Sequence, residues 1–220
     1  MTQPWTLLAT ETTPEGKLEL RRRGDKDFVL TIDGRVLMNS ASQRSEEALA
    51  TLGCARVADR PSPHVLIAGL GMAMTLRAAL DALPRKAVVT VAELTPTVVA
   101  WCRGPLGPLT GDAIADPRVR VIVGDVAKVI ASAPPRSFDA ILLDLYEGPH
   151  AATQRKEDPF FGPNALGRAK AALNRGGVFG VWSEEPDPQF PSRLEKAGFD
   201  VSVHRPGRVG RTHVVYLGSV

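Results

Sequence analysis

From His64 onward the chain alternates short apolar runs with amphipathic segments, and this rhythm constrains the fold more than any other feature. Residues 65–68, 87–93, 119–123, 140–143 and 178–182 are apolar at successive positions, as strands covered on both faces of a parallel sheet are. Helical spacing fills the intervals at 73–82, 96–103, 126–132 and 162–173, with Gly176-Gly177 read as the stop of the last helix. A shorter helix at 191–196 is followed by strands at 199–204 and 212–216. These flank Pro206-Gly207-Arg208-Val209-Gly210 and predict a closing antiparallel hairpin. Strands and helices in this order predict a doubly wound, Rossmann-like α/β sheet, whose ligand crevice lies beyond the carboxyl ends of the strands.

The residues ahead of that rhythm read differently. Segments 5–12, 17–23 and 28–32 have strand character and are punctuated by Pro14-Glu15-Gly16 and Asp33-Gly34, a strong hairpin signal. They predict a small N-terminal β-hairpin unit over 1–42, ahead of an α/β domain over 43–220. Arg21-Arg22-Arg23 reads as a solvated strand end. Residues 46–52 are helical, with Ser45 expected as the cap and Glu47 in the first turn.

Composition narrows the class. A chain of 220 residues with 44% hydrophobic residues supports one sizeable core. The net charge of +3 and pI near 9.1 come from dispersed arginines rather than a basic block, so nucleic acid is not an expected partner. Cys54 and Cys102 lie far apart, outside any CxxC, and read as core thiols of a reducing compartment rather than zinc ligands. No basic-then-apolar leader and no run of about eighteen apolar residues occurs, so no membrane association is expected and the cytoplasm is the expected location.

The strand ends carry the chemistry. VLIAGLGMAMTLRAAL, residues 65–80, passes from strand to helix across Gly69 and Gly71, a turn that lets a ligand approach the backbone and the helix N–H groups. The next strand ends on Glu93, placed to accept both hydroxyls of a ribose. The third ends on Gly124-Asp125-Val126, where the acid can meet an adenine amino group or cap a helix and Val126 can pack on the base. The fourth ends on Asp144-Leu145-Tyr146-Glu147-Gly148-Pro149 and sets two carboxylates at the crevice mouth. With no GxxxxGK[ST], and Met74 where a third glycine of GxGxxG would stand, the pattern suits an adenosine ligand better than ATP or NAD.

These motifs resemble the spermidine synthase-like (polyamine aminopropyltransferase) superfamily within the class I S-adenosylmethionine-dependent methyltransferase fold. The resemblance implies that Gly69, Gly71, Met72, Glu93, Leu94, Asp125, Val126 and Asp144 contact S-adenosylmethionine or its decarboxylated form. It implies Asp144 as the catalytic aspartate that helps deprotonate an attacking amine, and Glu147 and Tyr146 beside it. It also implies a small-molecule acceptor, expected to be an amine, and a homodimer.

Departures are equally specific. In the turn Ala68-Gly69-Leu70-Gly71-Met72-Ala73, Met72 replaces the acid that the family uses to hold the donor's ammonium, and Ser45-Glu46-Glu47 replaces tyrosine-histidine-glutamate. Leu37-Met38 stands near an expected glutamine. Burying a lone cation without an anion is costly, whereas free amides of the turn at 69–73 can receive a carboxylate. The expectation is therefore methyl transfer from S-adenosylmethionine to an amine or hydroxyl, with aminopropyl transfer and a catalytically silent nucleoside-binding scaffold as alternatives. Glu184 is expected to line the acceptor pocket, Trp182 to pack, His150 to lie on a surface loop, and residues 154–158 to form a mobile lid.

Overall fold

A computed structural model of the chain describes residues 3–41, 43–206 and 213–220. The loop expected at 207–210 and the start of the strand expected at 212 lie outside the described residues.

Four antiparallel strands come first: β1 (Thr6–Thr13), β2 (Gly16–Arg23), β3 (Asp27–Ile32) and β4 (Arg35–Asn39), in that spatial order. Asp33 Oδ1 accepts the Lys17 amide at 2.8 Å and ties the β3–β4 turn to β2. Leu18, Leu20, Phe28 and Leu30 are buried and merge with the main core, so this sheet is packed onto the α/β body. At the arginine-rich strand end, Arg21 pairs with Glu19, while Arg23 pairs with Asp27 and covers the Trp5 ring.

Helix α1 (Arg44–Ala55) follows. Ser45 is not its cap: Gln43 holds that position without a side-chain hydrogen bond, and the Ser45 hydroxyl is turned inward. The α/β body then runs β5 (His64–Ala68), α2 (Met74–Ala82), β6 (Val88–Glu93), α3 (Pro96–Arg103), β7 (Val119–Val123), α4 (Val126–Ser132) and β8 (Phe138–Leu143). It continues through α5 (Pro163–Ala172), β9 (Leu173–Ser183), α6 (Phe190–Lys196), β10 (Asp200–His204) and β11 (Val214–Ser219). The sheet order is β10-β11-β9-β8-β5-β6-β7; β7, β6, β5, β8 and β9 are parallel, and β11 and β10 pair antiparallel at one end.

Gly176-Gly177 does not stop α5. The helix ends at Ala172, Leu173 is already extended, and the glycines lie within β9. Leu173 is buried and pairs with Phe138, and the next pair is Ala140 with Val178, so β9 bulges around the glycines. Burial of Leu173 against β8 decides where the helix ends.

Apolar residues on the two faces of the sheet form two clusters, one reaching α1, α2, α3 and the N-terminal sheet, the other α4, α5 and α6. Successive residues of β8 divide between them, with Leu142 in the first and Ile141 and Leu143 in the second. The order in which the chain lays down its strands reverses at β5: β6 and β7 follow on one side of it, β8 and β9 on the other. At that switch point the carboxyl ends of adjacent strands diverge and leave a crevice. Among the described residues no helix is long and apolar enough to cross a membrane.

Candidate functional site

At the switch point, the turn after β5 is shaped by protein atoms on both of its glycines. Gly69 has φ 84° and Gly71 φ 50°. A Cβ at Gly69 would collide with the Asp144 carbonyl oxygen, and one at Gly71 would lie 2.7 Å from Met38 Sδ. Protein atoms after β8 and on β4 thus pack closely against the two glycines, and both glycines also line the cavity. Most turn amides are also engaged: Gly69 N donates to Ala92 O at 2.9 Å, Leu70 N to Glu93 Oε2 at 2.8 Å and Ala73 N to Leu70 O at 2.7 Å. Met72, expected as a donor contact, is fully buried in the core and does not line the cavity.

Glu93 ends β6 with its side chain buried beneath this turn. Its second oxygen, Oε1, accepts the Thr95 amide at 2.8 Å, so one carboxylate fixes two backbone segments while lining the cavity. Leu94 beside it is exposed, and also lines the cavity. Asp125 caps α4 by accepting the Ala127 amide at 2.8 Å, and both it and buried Val126 line the same wall.

Asp144 leaves the end of β8 across from Glu93, with its amide donating to Ala68 O at 2.9 Å. Its Oδ2 accepts the Thr75 hydroxyl at 2.6 Å. Burial in this wall pushes its pKa up from 3.8 to about 7, against the Thr75 hydrogen bond and helped by the nearby charge of Glu46. Glu46 and Thr75 are the two neighbours that sequence reading did not assign. The only sign of Glu46 was its place in Ser45-Glu46-Glu47, and nothing in the sequence marks Thr75. Glu46 is 9% exposed, lines the cavity, and accepts the Ser45 hydroxyl on Oε2 at 2.6 Å. Ser45 Oγ lies 2.9 Å from His213 Nδ1, whose ring meets Trp182 edge-on.

The mouth is built by the chain after Asp144. Tyr146 and Glu147 are exposed and turn to the N-terminal sheet, where Arg35 lies 5.0 Å over the tyrosine ring and bonds Glu147 Oε1 at 3.2 Å. His150 Nε2 is 3.7 Å from Glu147. The expected mobile lid is anchored on both sides: Asp158 accepts the amides of Phe160 and Phe161, and Arg193 Nη1 donates to Thr153 O at 3.0 Å and Phe161 O at 3.3 Å. Glu184 is exposed and is not part of the cavity lining. Trp182 does line it, while packing on His213.

The cavity measures about 480 Å³, within the range of small-molecule sites, and opens to solvent at its mouth. Its charge is one-sided. Glu15, Glu46, Glu93, Asp125, Asp144, Glu147 and Asp158 line it, and among the described residues no lysine or arginine does. With His150 the one other titratable side chain besides Tyr146 in the described lining, the set fits a ligand carrying positive charge and sugar hydroxyls and offers no lysine or arginine to receive an anion.

No family model matches the chain. It is 28% identical over 202 residues to the polyamine aminopropyltransferase of Mycobacterium tuberculosis, an alignment that takes in 86% of this chain and 37% of that protein. It is 30% identical over 156 residues to the polyamine aminopropyltransferase of Aeropyrum pernix, taking in 69% of this chain and 46% of that one. The chain thus spans less than half the length of these curated relatives. Among solved structures, spermidine synthase from Thermotoga maritima superposes with a TM-score of 0.75 at 19% identity, over 97% of this chain and 72% of the other. A spermidine synthase in complex with a transition-state analogue gives 0.73 at 18% identity, over 97% and 72%. The chain has the spermidine-synthase fold, a Rossmann-like α/β sheet of the class I methyltransferase kind, and its sequence is similar to those of the polyamine aminopropyltransferases.

Proposed function

We propose that this chain is a transferase that moves an aminopropyl group from decarboxylated S-adenosylmethionine to an amine of a small molecule. The observation that carries this reading is the set of carboxylates around the cavity with no lysine or arginine among its described lining. Intact S-adenosylmethionine brings a carboxylate that this lining repels, and the turn amides expected to receive it are mostly bonded within the protein. The decarboxylated donor carries only positive charge on its arm. The relatives named polyamine aminopropyltransferases support the same choice.

In this reading Glu93 holds the ribose hydroxyls, with Gly69, Gly71, Leu94, Asp125 and Val126 around the nucleoside. The donor supplies an electrophilic carbon beside a sulfonium. Asp144 accepts the proton from the attacking nitrogen as the N–C bond forms and the S–C bond breaks, its electron pair passing to sulfur. Tyr146 and Glu147 border the acceptor's entry. Positioning and exclusion of water supply much of the acceleration in such a displacement. Methyl transfer from intact S-adenosylmethionine is the second reading, favoured by Met72, which is buried at the place where the resemblance puts an acid.

Calorimetry with two thioether products separates the readings. Binding of methylthioadenosine with weak or absent binding of S-adenosylhomocysteine supports aminopropyl transfer. The reverse order supports methyl transfer, and binding of neither defeats both. Sedimentation of the free chain tests the homodimer that the resemblance implies.

A further inference from the structure

Glu46 is a buried carboxylate on the cavity wall, and none of the ion pairs among the described residues includes it. A charge in such a place is costly unless a cation or several hydrogen bonds meet it. We propose that Glu46, oriented by Ser45 and His213, grips the terminal ammonium of the donor's three-carbon arm beside Asp144 and thereby selects a donor lacking a carboxylate. This rests on the transferase reading above and assigns the specificity within it to a residue of α1.

The hydrogen bonds fix the direction of the chain that holds Glu46. The Ser45 hydroxyl has one proton, and its 2.6 Å contact with Glu46 Oε2 uses it, because an ionised carboxylate only accepts. The 2.9 Å contact with His213 Nδ1 is therefore donated by the ring nitrogen to Ser45 Oγ. Trp182, with its ring centre 5.2 Å from that of His213, limits rotation of the imidazole. One donor, the Ser45 hydroxyl backed by His213, thus points toward Glu46 from the protein side and orients its carboxylate.

Thr75 joins Glu46 to Asp144. Its hydroxyl lies 3.4 Å from the Glu46 carbonyl oxygen and 2.6 Å from Asp144 Oδ2, so the first turns of α1 and α2 meet at the end of β8. The charge of Glu46 makes Asp144 harder to ionise. An ammonium between them relieves that repulsion, whereas a carboxylate on the arm adds to it. Glu46 in this way supplies the negative charge that Met72, turned into the core, does not.

The test compares two stable nucleoside thioethers, 5′-(3-aminopropyl)thioadenosine and 5′-propylthioadenosine, which differ only in the ammonium. Calorimetry on the wild-type protein is expected to give a preference of ~10-fold or more for the amine. In Glu46→Gln the preference is expected to fall below ~3-fold, with propylthioadenosine affinity unchanged within ~2-fold. Glu46→Asp, which keeps the charge, is expected to retain most of the preference. Ser45→Ala reads the same ratio through the orienting hydroxyl and serves if Glu46→Gln does not fold, with a reduced preference expected. Full preference in Glu46→Gln, or equal loss for both thioethers, overturns the proposal. Equal wild-type affinity for the two overturns it while leaving the nucleoside site standing, and no binding of either defeats the transferase reading as well.

Discussion

The Thr75 hydroxyl donates to Asp144 Oδ2 at 2.6 Å, joining the first turn of α2 to the residue that follows β8. Two opposing influences meet at that carboxylate. Burial and Glu46 favour its protonated form, while the hydrogen bond favours the ionised one, and the outcome is a pKa of about 7. An acid so placed is poised to exchange a proton near neutrality.

Replacing Asp144 by Asn is expected to lower turnover by roughly 100-fold or more while leaving propylthioadenosine affinity within ~2-fold, because the role proposed for it is toward the acceptor's proton and not toward the sugar. Steady-state rates and calorimetry on one preparation check both halves. Turnover within a few-fold of wild type would remove Asp144 from proton transfer.

The same group sets a pH dependence of stability. In the folded protein Asp144 keeps its proton up to about 7, against 3.8 for the free side chain. The folded state therefore binds more protons between those values, and this contribution to stability falls as pH rises through the window, then levels off. Asp144→Asn lacks that loss. It should exceed wild type in thermal stability by ~1 kcal/mol or more near pH 8, with the difference gone near pH 4.

Thr75→Val removes the one interaction that favours the ionised carboxylate. The rising limb of kcat/KM against pH, expected near the Asp144 pKa of about 7 in wild type, should move to higher pH by roughly one unit. An unchanged profile would mean that another group controls the limb.

The two glycines of the turn should respond differently to alanine. Gly69→Ala meets the Asp144 backbone, which has nowhere to go, and is expected to cost more than ~3 kcal/mol. Gly71→Ala meets the Met38 thioether, so Met38→Ala should recover part of its cost, leaving ~1 kcal/mol for the positive φ. Denaturation of the two single variants and the double variant gives the coupling directly.

Glu93→Ala should weaken nucleoside binding by roughly 1–3 kcal/mol and lower stability as well, since the Leu70 and Thr95 amides both lose their acceptor. A purely ligand-facing carboxylate would change affinity alone. Thermal melts beside calorimetry separate the two.

Much of the architecture was legible because its signals are local. The apolar strands of the parallel sheet and helices such as 96–103 and 126–132 announce themselves through periodicity, Pro96 and Asp125. The strand-end positions of Glu93, Asp125 and Asp144 follow from the same pattern, since a polar residue ending an apolar run must sit at the rim of the sheet. Where local signals competed with burial, burial decided the outcome. Leu173 ends a helix that Gly176-Gly177 was expected to end, because its side chain is buried against β8. Ser45 looks like a cap but turns inward to Glu46 and His213.

The sequence by itself determined the alternation that makes a doubly wound sheet and the carboxylates at its strand ends, because both depend on neighbours a few residues apart. Only the tertiary structure decided which of those groups share a cavity, what fills the glycine turn, and how a charge on α1 acts on one at the end of β8. Glu46 and Asp144 are almost a hundred residues apart in the chain, and electrostatic and hydrogen-bond energies depend on distance through space rather than along the chain.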